Sequence, residues 1–168
     1  GDPDQDFAEA LRRAVAFYSS GDYDRAVAEY RAALKIRDDD FPCRLGLAYS
    51  LLFTNHPSSL VEAEAVFSAI GERRDPKEEV KRVYGLALVD RTLGVLYEKR
   101  ARMRLAKGEA KGVAEDRAVS REYARKALVG FQSAVEIEAA LAKVRQAEGG
   151  VPDGPPHPSL APNAHVGI

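Results

Sequence analysis

Apolar side chains recur every three or four positions along most of this chain, the spacing that one face of an α-helix requires. Leu11, Ala14, Val15 and Tyr18 make a first such face, and Ala26, Val27, Tyr30, Ala33 and Leu34 a second. Ser20-Gly21-Asp22 breaks the pattern between them. Gly21 can end one helix there, and the Asp22 carboxylate can accept a backbone N–H at the start of the next. The pattern resumes at about Phe41 with Ala48 and Leu51, breaks over Thr54-Asn55-His56-Pro57-Ser58, and returns with Ala63 and Phe67. A helix is expected there from about Ser59, with Ser59 and Glu62 as a reciprocal capping pair. Asp75-Pro76 predicts a further start, Asp as cap and Pro in the first turn. No strands are expected, and the fold class is all-α.

Within the first two helices, small, aromatic, small, aromatic and small residues stand in register at Ala14, Phe17, Ala26, Tyr30 and Ala33. On these positions residues 7–40 resemble one tetratricopeptide repeat (TPR), a helix-turn-helix unit of about 34 residues. The resemblance implies antiparallel helical hairpins stacked as a short right-handed solenoid, a scaffold that holds another chain and has no chemistry of its own. A second unit fits about 41–75, with extra residues in its turn and Ile70 where the family prefers a small residue. A third fits about 77–140, with Tyr84-Gly85 and Leu88 in its first helix and Ala127, Phe131, Ala134 and Ile137 in its second. The expected TPR domain is 1–148, with the last helix running through Leu141, Val144 and Ala147 to cover the end of the stack.

The two halves of the third unit are separated by an insertion over about 93–122, whose midpoint falls in the helix-breaking segment KGEAKG at 107–112. Both helices are therefore expected to run on as long arms, projecting roughly 22 Å beyond the body. Leu96, Met103, Leu105, Ala106, Val113, Ala114, Ala118 and Val119 are expected to pair the arms. From 149 to 168 the composition turns to Pro and Gly, a tail with no regular element that includes Pro155-Pro156-His157-Pro158-Ser159-Leu160.

Composition narrows the function classes. A net charge of −1 argues against a global attraction to polyanions, and a single cysteine, Cys43, excludes an internal disulfide. No apolar run has the roughly 20 residues of a membrane span. Scarce Asn and Gln beside abundant Arg, Ala and Gly suggest a bacterial source. The cytoplasm is the expected compartment. A periplasmic or lipid-anchored form is the alternative, since the chain starts at Gly1 rather than Met. His56, His157 and His165 lack metal-site spacing and Cys43 has no nearby base in sequence, so no catalytic residue, metal or cofactor is assigned.

A protein or peptide partner is expected instead, at one of two surfaces. The resemblance implies a concave groove lined by Leu11, Val15, Tyr18, Leu45, Tyr49, Leu52, Arg82, Leu86 and Val89, with Tyr18 and Tyr49 foremost. Leu11 and Val15 stand where a carboxylate-clamp TPR has Lys and Asn, and Tyr49 replaces Asn in the second unit, so a clamp for a C-terminal carboxylate is not expected. The second surface is the arm pair, where ten basic residues face four acidic ones between Lys99 and Lys126. Lys99, Arg100, Arg102, Arg104, Lys107, Lys111, Arg117 and Arg121 offer a basic face to an acidic protein; nucleic acid or anionic membrane is the alternative ligand. Family analogues include type III secretion chaperones and pilus or outer-membrane assembly lipoproteins, and homo-oligomers are possible.

Overall fold

The computed structural model describes residues 1–149; the proline-rich tail singled out above lies outside the described residues. Six α-helices follow one another: α1 Pro3–Ser19, α2 Tyr23–Ile36, α3 Phe41–Thr54, α4 Pro57–Ile70, α5 Pro76–Ala106 and α6 Val113–Ala147. The described residues contain no strand. Each helix packs on the next, and α3 also touches α1 and α5.

Local chemistry sets the helix starts. Asp22 caps α2 by accepting the Arg25 N–H at 3.3 Å, Asp40 caps α3 through the Cys43 N–H at 3.0 Å, and Asp75 caps α5 through the Lys77 N–H at 2.9 Å. Gly21 follows α1 with a φ of 81°, a left-handed turn that costs glycine little. The start of α4 differs from the sequence expectation. It begins at Pro57, whose fixed φ suits the first turn, after a His56 that makes no side-chain cap. Ser59 is thus already inside the helix, and Glu62 pairs with Arg31 on α2 at 2.8 Å rather than reaching back to cap.

The core forms where small residues let helices approach. Ala14, Ala26, Ala33, Ala48 and Ala63 are fully buried, interleaved with Tyr18, Tyr30, Tyr49 and Phe67. Helix α3 is the most enclosed element, with every residue from Leu45 to Leu52 buried. Two glycines set the closest approaches: Gly46 faces the Tyr30 ring and Gly85 the Phe67 ring, with no space for a Cβ at either. A second, smaller cluster of Val80, Ala134 and Leu141 fastens the far half of α6 to the start of α5.

Helices α5 and α6 have 31 and 35 residues against 14 in α4, so α5 outruns α4 by roughly 25 Å. They turn around at 107–112, where Gly108 and Gly112 take φ of 74° and 88°. The seam between them departs from the apolar pairing expected from sequence. Met103, Leu105, Ala106, Ala114, Ala118 and Val119 are exposed, Leu96 is half-buried, and of that set only Val113 is buried. Ala101 fills the seam near the tip, and the Ser120 hydroxyl donates to the Gly94 carbonyl oxygen at 2.7 Å. Tyr97 stacks on Tyr123 with ring centroids 5.9 Å apart. Nearest the turn, Arg100 and Arg104 both donate to the buried Asp116 carboxylate, at 3.0 and 2.9 Å. Two thin helices have little width for a core, so one buried acid and small residues substitute for a wide apolar stripe.

Candidate functional site

The nine groove candidates divide sharply. Tyr18, Leu45, Tyr49, Leu52 and Val89 are buried in the core between helices and line no open groove. Each lies on the side of its helix that meets the neighbouring hairpin, so packing takes the whole side chain and none remains to line the expected groove. Tyr18 sits among Tyr23 and Phe53, and Tyr49 against Phe67. Burial raises both phenol pKa values well above the ordinary range. Leu11 and Leu86 are half-buried against the same core. Arg82 is held by Glu79 in a two-bond pair at 2.8 and 2.9 Å, where hydrogen bonds from Arg82 and Arg73 outweigh burial and keep the Glu79 carboxyl below its usual range. Val15 alone of the set is largely exposed.

The eight basic candidates also divide. Arg100 and Arg104 are committed to Asp116, and Arg102 and Arg117 reach Glu98 at 3.3 and 3.7 Å. Lys99, Lys107, Lys111 and Arg121 are exposed and form no ion pair among the described residues. The free positive charge of the arms is therefore carried by these four.

Cys43 is buried, and its thiol is pushed up to about 12 by burial and the neighbouring Asp40, which leaves no thiolate at neutral pH. Among the described residues no three His, Cys, Asp or Glu side chains gather where a metal ion could bind.

Three features escaped sequence reasoning. The first is a carboxyl pair where α4, α5 and α6 meet. Asp90 is buried, and burial together with the facing Glu64 carboxylate pushes its pKa up to about 8. Lys126 Nζ lies 3.6 Å from Glu64 Oε2 and offsets part of that charge. The second is a cleft of about 500 Å³ between the start of α4 and the arm of α5, with Pro57 and Val61 on one wall and Leu96, Tyr97 and Met103 on the other. The third is a cleft of about 790 Å³ along the outer side of α5 and α6, with Val95, Ala124, Leu128 and Phe131 on its walls and Arg91, Lys99 and Arg102 at its edges. Periodicity places Leu96 and Met103 of the second feature in the arm seam, and it gives Val95, Ala124 and Leu128 of the third no role.

No protein-family model matches the chain, and neither a curated protein nor a solved structure resembles it significantly.

Proposed function

We propose that this chain is a non-catalytic adaptor of the TPR type, three stacked helical hairpins whose last one carries the partner-binding surface on its long arms. The observation that carries this reading is the pairing of a closed core with open arms. The small positions of the repeat pattern, Ala14, Ala26, Ala33, Ala48 and Ala63, are fully buried where helices meet. Two large apolar clefts lie instead on α5, with Lys99 and Lys107, which form no ion pair among the described residues, at their edges. A stack that consumes its own inner residues in packing leaves recognition to what projects from it, and exposed apolar walls beside fixed charge are the composition of interaction sites.

Affinity capture from the cells that make the protein tests this. The wild type is compared with a variant carrying Lys99→Glu, Lys107→Glu, Lys111→Glu and Arg121→Glu, the four arm cations that form no ion pair among the described residues. A polypeptide retained by the wild type and reduced about tenfold or more by the variant is expected. Recovery of no polypeptide beyond what an inert carrier retains would remove the adaptor reading. The same four cations support a second reading, direct binding of a polyanion. That reading requires affinity for duplex DNA or anionic vesicles falling steeply with added salt.

A further inference from the structure

The cleft along the outer side of α5 and α6 has a chemistry that selects its occupant. Its walls are apolar and open to solvent: Val95 is 63% exposed and Leu128 58%, and the face continues along α6 to Val135 at 68%. Large aliphatic side chains this exposed and this close together mark surfaces that another molecule covers. The cleft runs beside α5 from Arg91 to Arg102, roughly 16 Å, the length of about three helical turns.

Charge decides what kind of molecule. Arg91 stands at one end with its guanidinium 5.4 Å from the Phe131 ring centre, and its Nη2 is buried without a hydrogen-bond acceptor. Lys99 stands further along, exposed and without an ion pair among the described residues. Arg102 is mostly exposed beside Glu98, the one acid of the lining, and Glu98 is shared with Arg117. The cleft is thus an apolar trough with net positive edges. We infer that it docks an acidic amphipathic segment of a partner protein, with aliphatic or aromatic anchors between Val95 and Leu128 and Asp or Glu side chains set against Lys99 and Arg91. Helix-in-groove recognition combines these two elements, apolar anchors for affinity and complementary charge for register and orientation.

Other occupants fit less well. A second copy placed face to face would set the cationic edge of Arg91, Lys99 and Arg102 against the same edge of the other copy. The last nineteen residues of the chain hold a single acid, Asp153, and offer no acidic segment. This inference rests on the adaptor reading and narrows it to one face and one partner chemistry.

An unbiased selection tests it. A phage-displayed library of random peptides about 16 residues long is panned on the full chain, and the most enriched peptide is measured by fluorescence anisotropy against three single variants. Enriched sequences should carry Asp or Glu together with Leu, Ile or Phe at helical spacing. Binding should weaken about tenfold or more with Leu128→Glu and severalfold with Lys99→Glu. Val61→Glu, in the separate cleft beside α4, should leave it within about twofold. Enrichment of basic or uncharged peptides, no enrichment, or equal losses with Leu128→Glu and Val61→Glu would overturn the inference. So would a wild-type dimer in sedimentation that Leu128→Glu dissolves, since a second copy would then own the face. A cellular partner that the wild type captures and Leu128→Glu retains would sink the inference alone and leave the adaptor reading standing.

Discussion

The Tyr49 hydroxyl on α3 donates to the backbone carbonyl oxygen of Lys81 on α5 at 2.6 Å, tying two non-consecutive helices together inside the core. Tyr18, equally buried on α1, has no such acceptor for its hydroxyl. The two phenols therefore respond oppositely to loss of the oxygen. Tyr49→Phe should lower the free energy of unfolding by about 1 to 2 kcal/mol, the value of a buried hydrogen bond. Tyr18→Phe should be neutral or raise it by up to about 1 kcal/mol, because it removes an unsatisfied polar group. Urea denaturation of both variants measures this, and a Tyr18→Phe loss as large as that of Tyr49→Phe would mean the Tyr18 hydroxyl has a partner.

That contrast shows what was legible in the sequence. Ala14, Ala26, Tyr30, Ala33, Ala48, Ala63 and Phe67 all stand out from spacing alone and all are buried, because helical period and side-chain size are local properties. Asp22 and Asp75 are readable as caps for the same reason. Tyr18 and Tyr49 are not readable as core, since an aromatic on a helix face suits an open groove and an inter-hairpin contact equally well. Only the tertiary arrangement decides between them. Arg100 and Arg104 read as surface charge until Asp116, on the far side of the turn, folds back to meet them. The carboxyl pair of Glu64 and Asp90 joins residues far apart in the chain, and no spacing rule connects them.

Gly85 gives a prediction in which two effects oppose each other. Replacing a mid-helix glycine with alanine favours the helix by about 1 kcal/mol. Here the new Cβ would press into the Phe67 ring and stand 2.8 Å from Cζ of Tyr49. Both rings are fixed in the core, so overpacking of about 1 to 3 kcal/mol should outweigh the propensity gain. The melting temperature of Gly85→Ala should fall by several degrees, about 2 to 4 °C for each kcal/mol of net loss. A rise in melting temperature would show that the rings can move aside.

Asp90 makes stability depend on pH in a stated direction. In the fold its carboxyl stays protonated up to about 8, chiefly because it is buried and secondarily because Glu64 faces it. In the unfolded chain an Asp loses its proton near pH 4, about 3.9. Between those values the folded state binds the extra proton, so stability falls as pH rises through the window and levels off above about 8. Asp90→Asn keeps the shape and removes the titration. Thermal unfolding of wild type and variant at about pH 5 and about pH 8.5 should show the wild type losing ground at the higher pH, by an amount on the order of a few kcal/mol. Parallel behaviour of the two proteins would mean that Asp90 ionises as an ordinary surface acid does.

The arms should open independently of the body, and Asp116 is the place to test it. Its carboxylate, only 5% exposed, receives Arg100 and Arg104 and is the main polar tie between α5 and α6 near their turn. Few large apolar side chains back it there, since Met103, Leu105 and Val119 face solvent. Asp116→Asn removes the charge that both guanidinium groups share, at a local cost of about 1 to 3 kcal/mol, moderated because the two arginines remain partly hydrated. Hydrogen exchange should therefore quicken by about tenfold to a hundredfold for amides of the arm tip, roughly Arg100 to Arg117, while the enclosed α3 exchanges as before. Faster exchange throughout the molecule would instead make the arms part of one cooperative unit with the core. Opening confined to the tip would leave Val95, Lys99 and Leu128 in place, so a partner seated in the outer cleft should still bind Asp116→Asn, whereas one that grips Lys107 and Lys111 should lose affinity in proportion to the fraying.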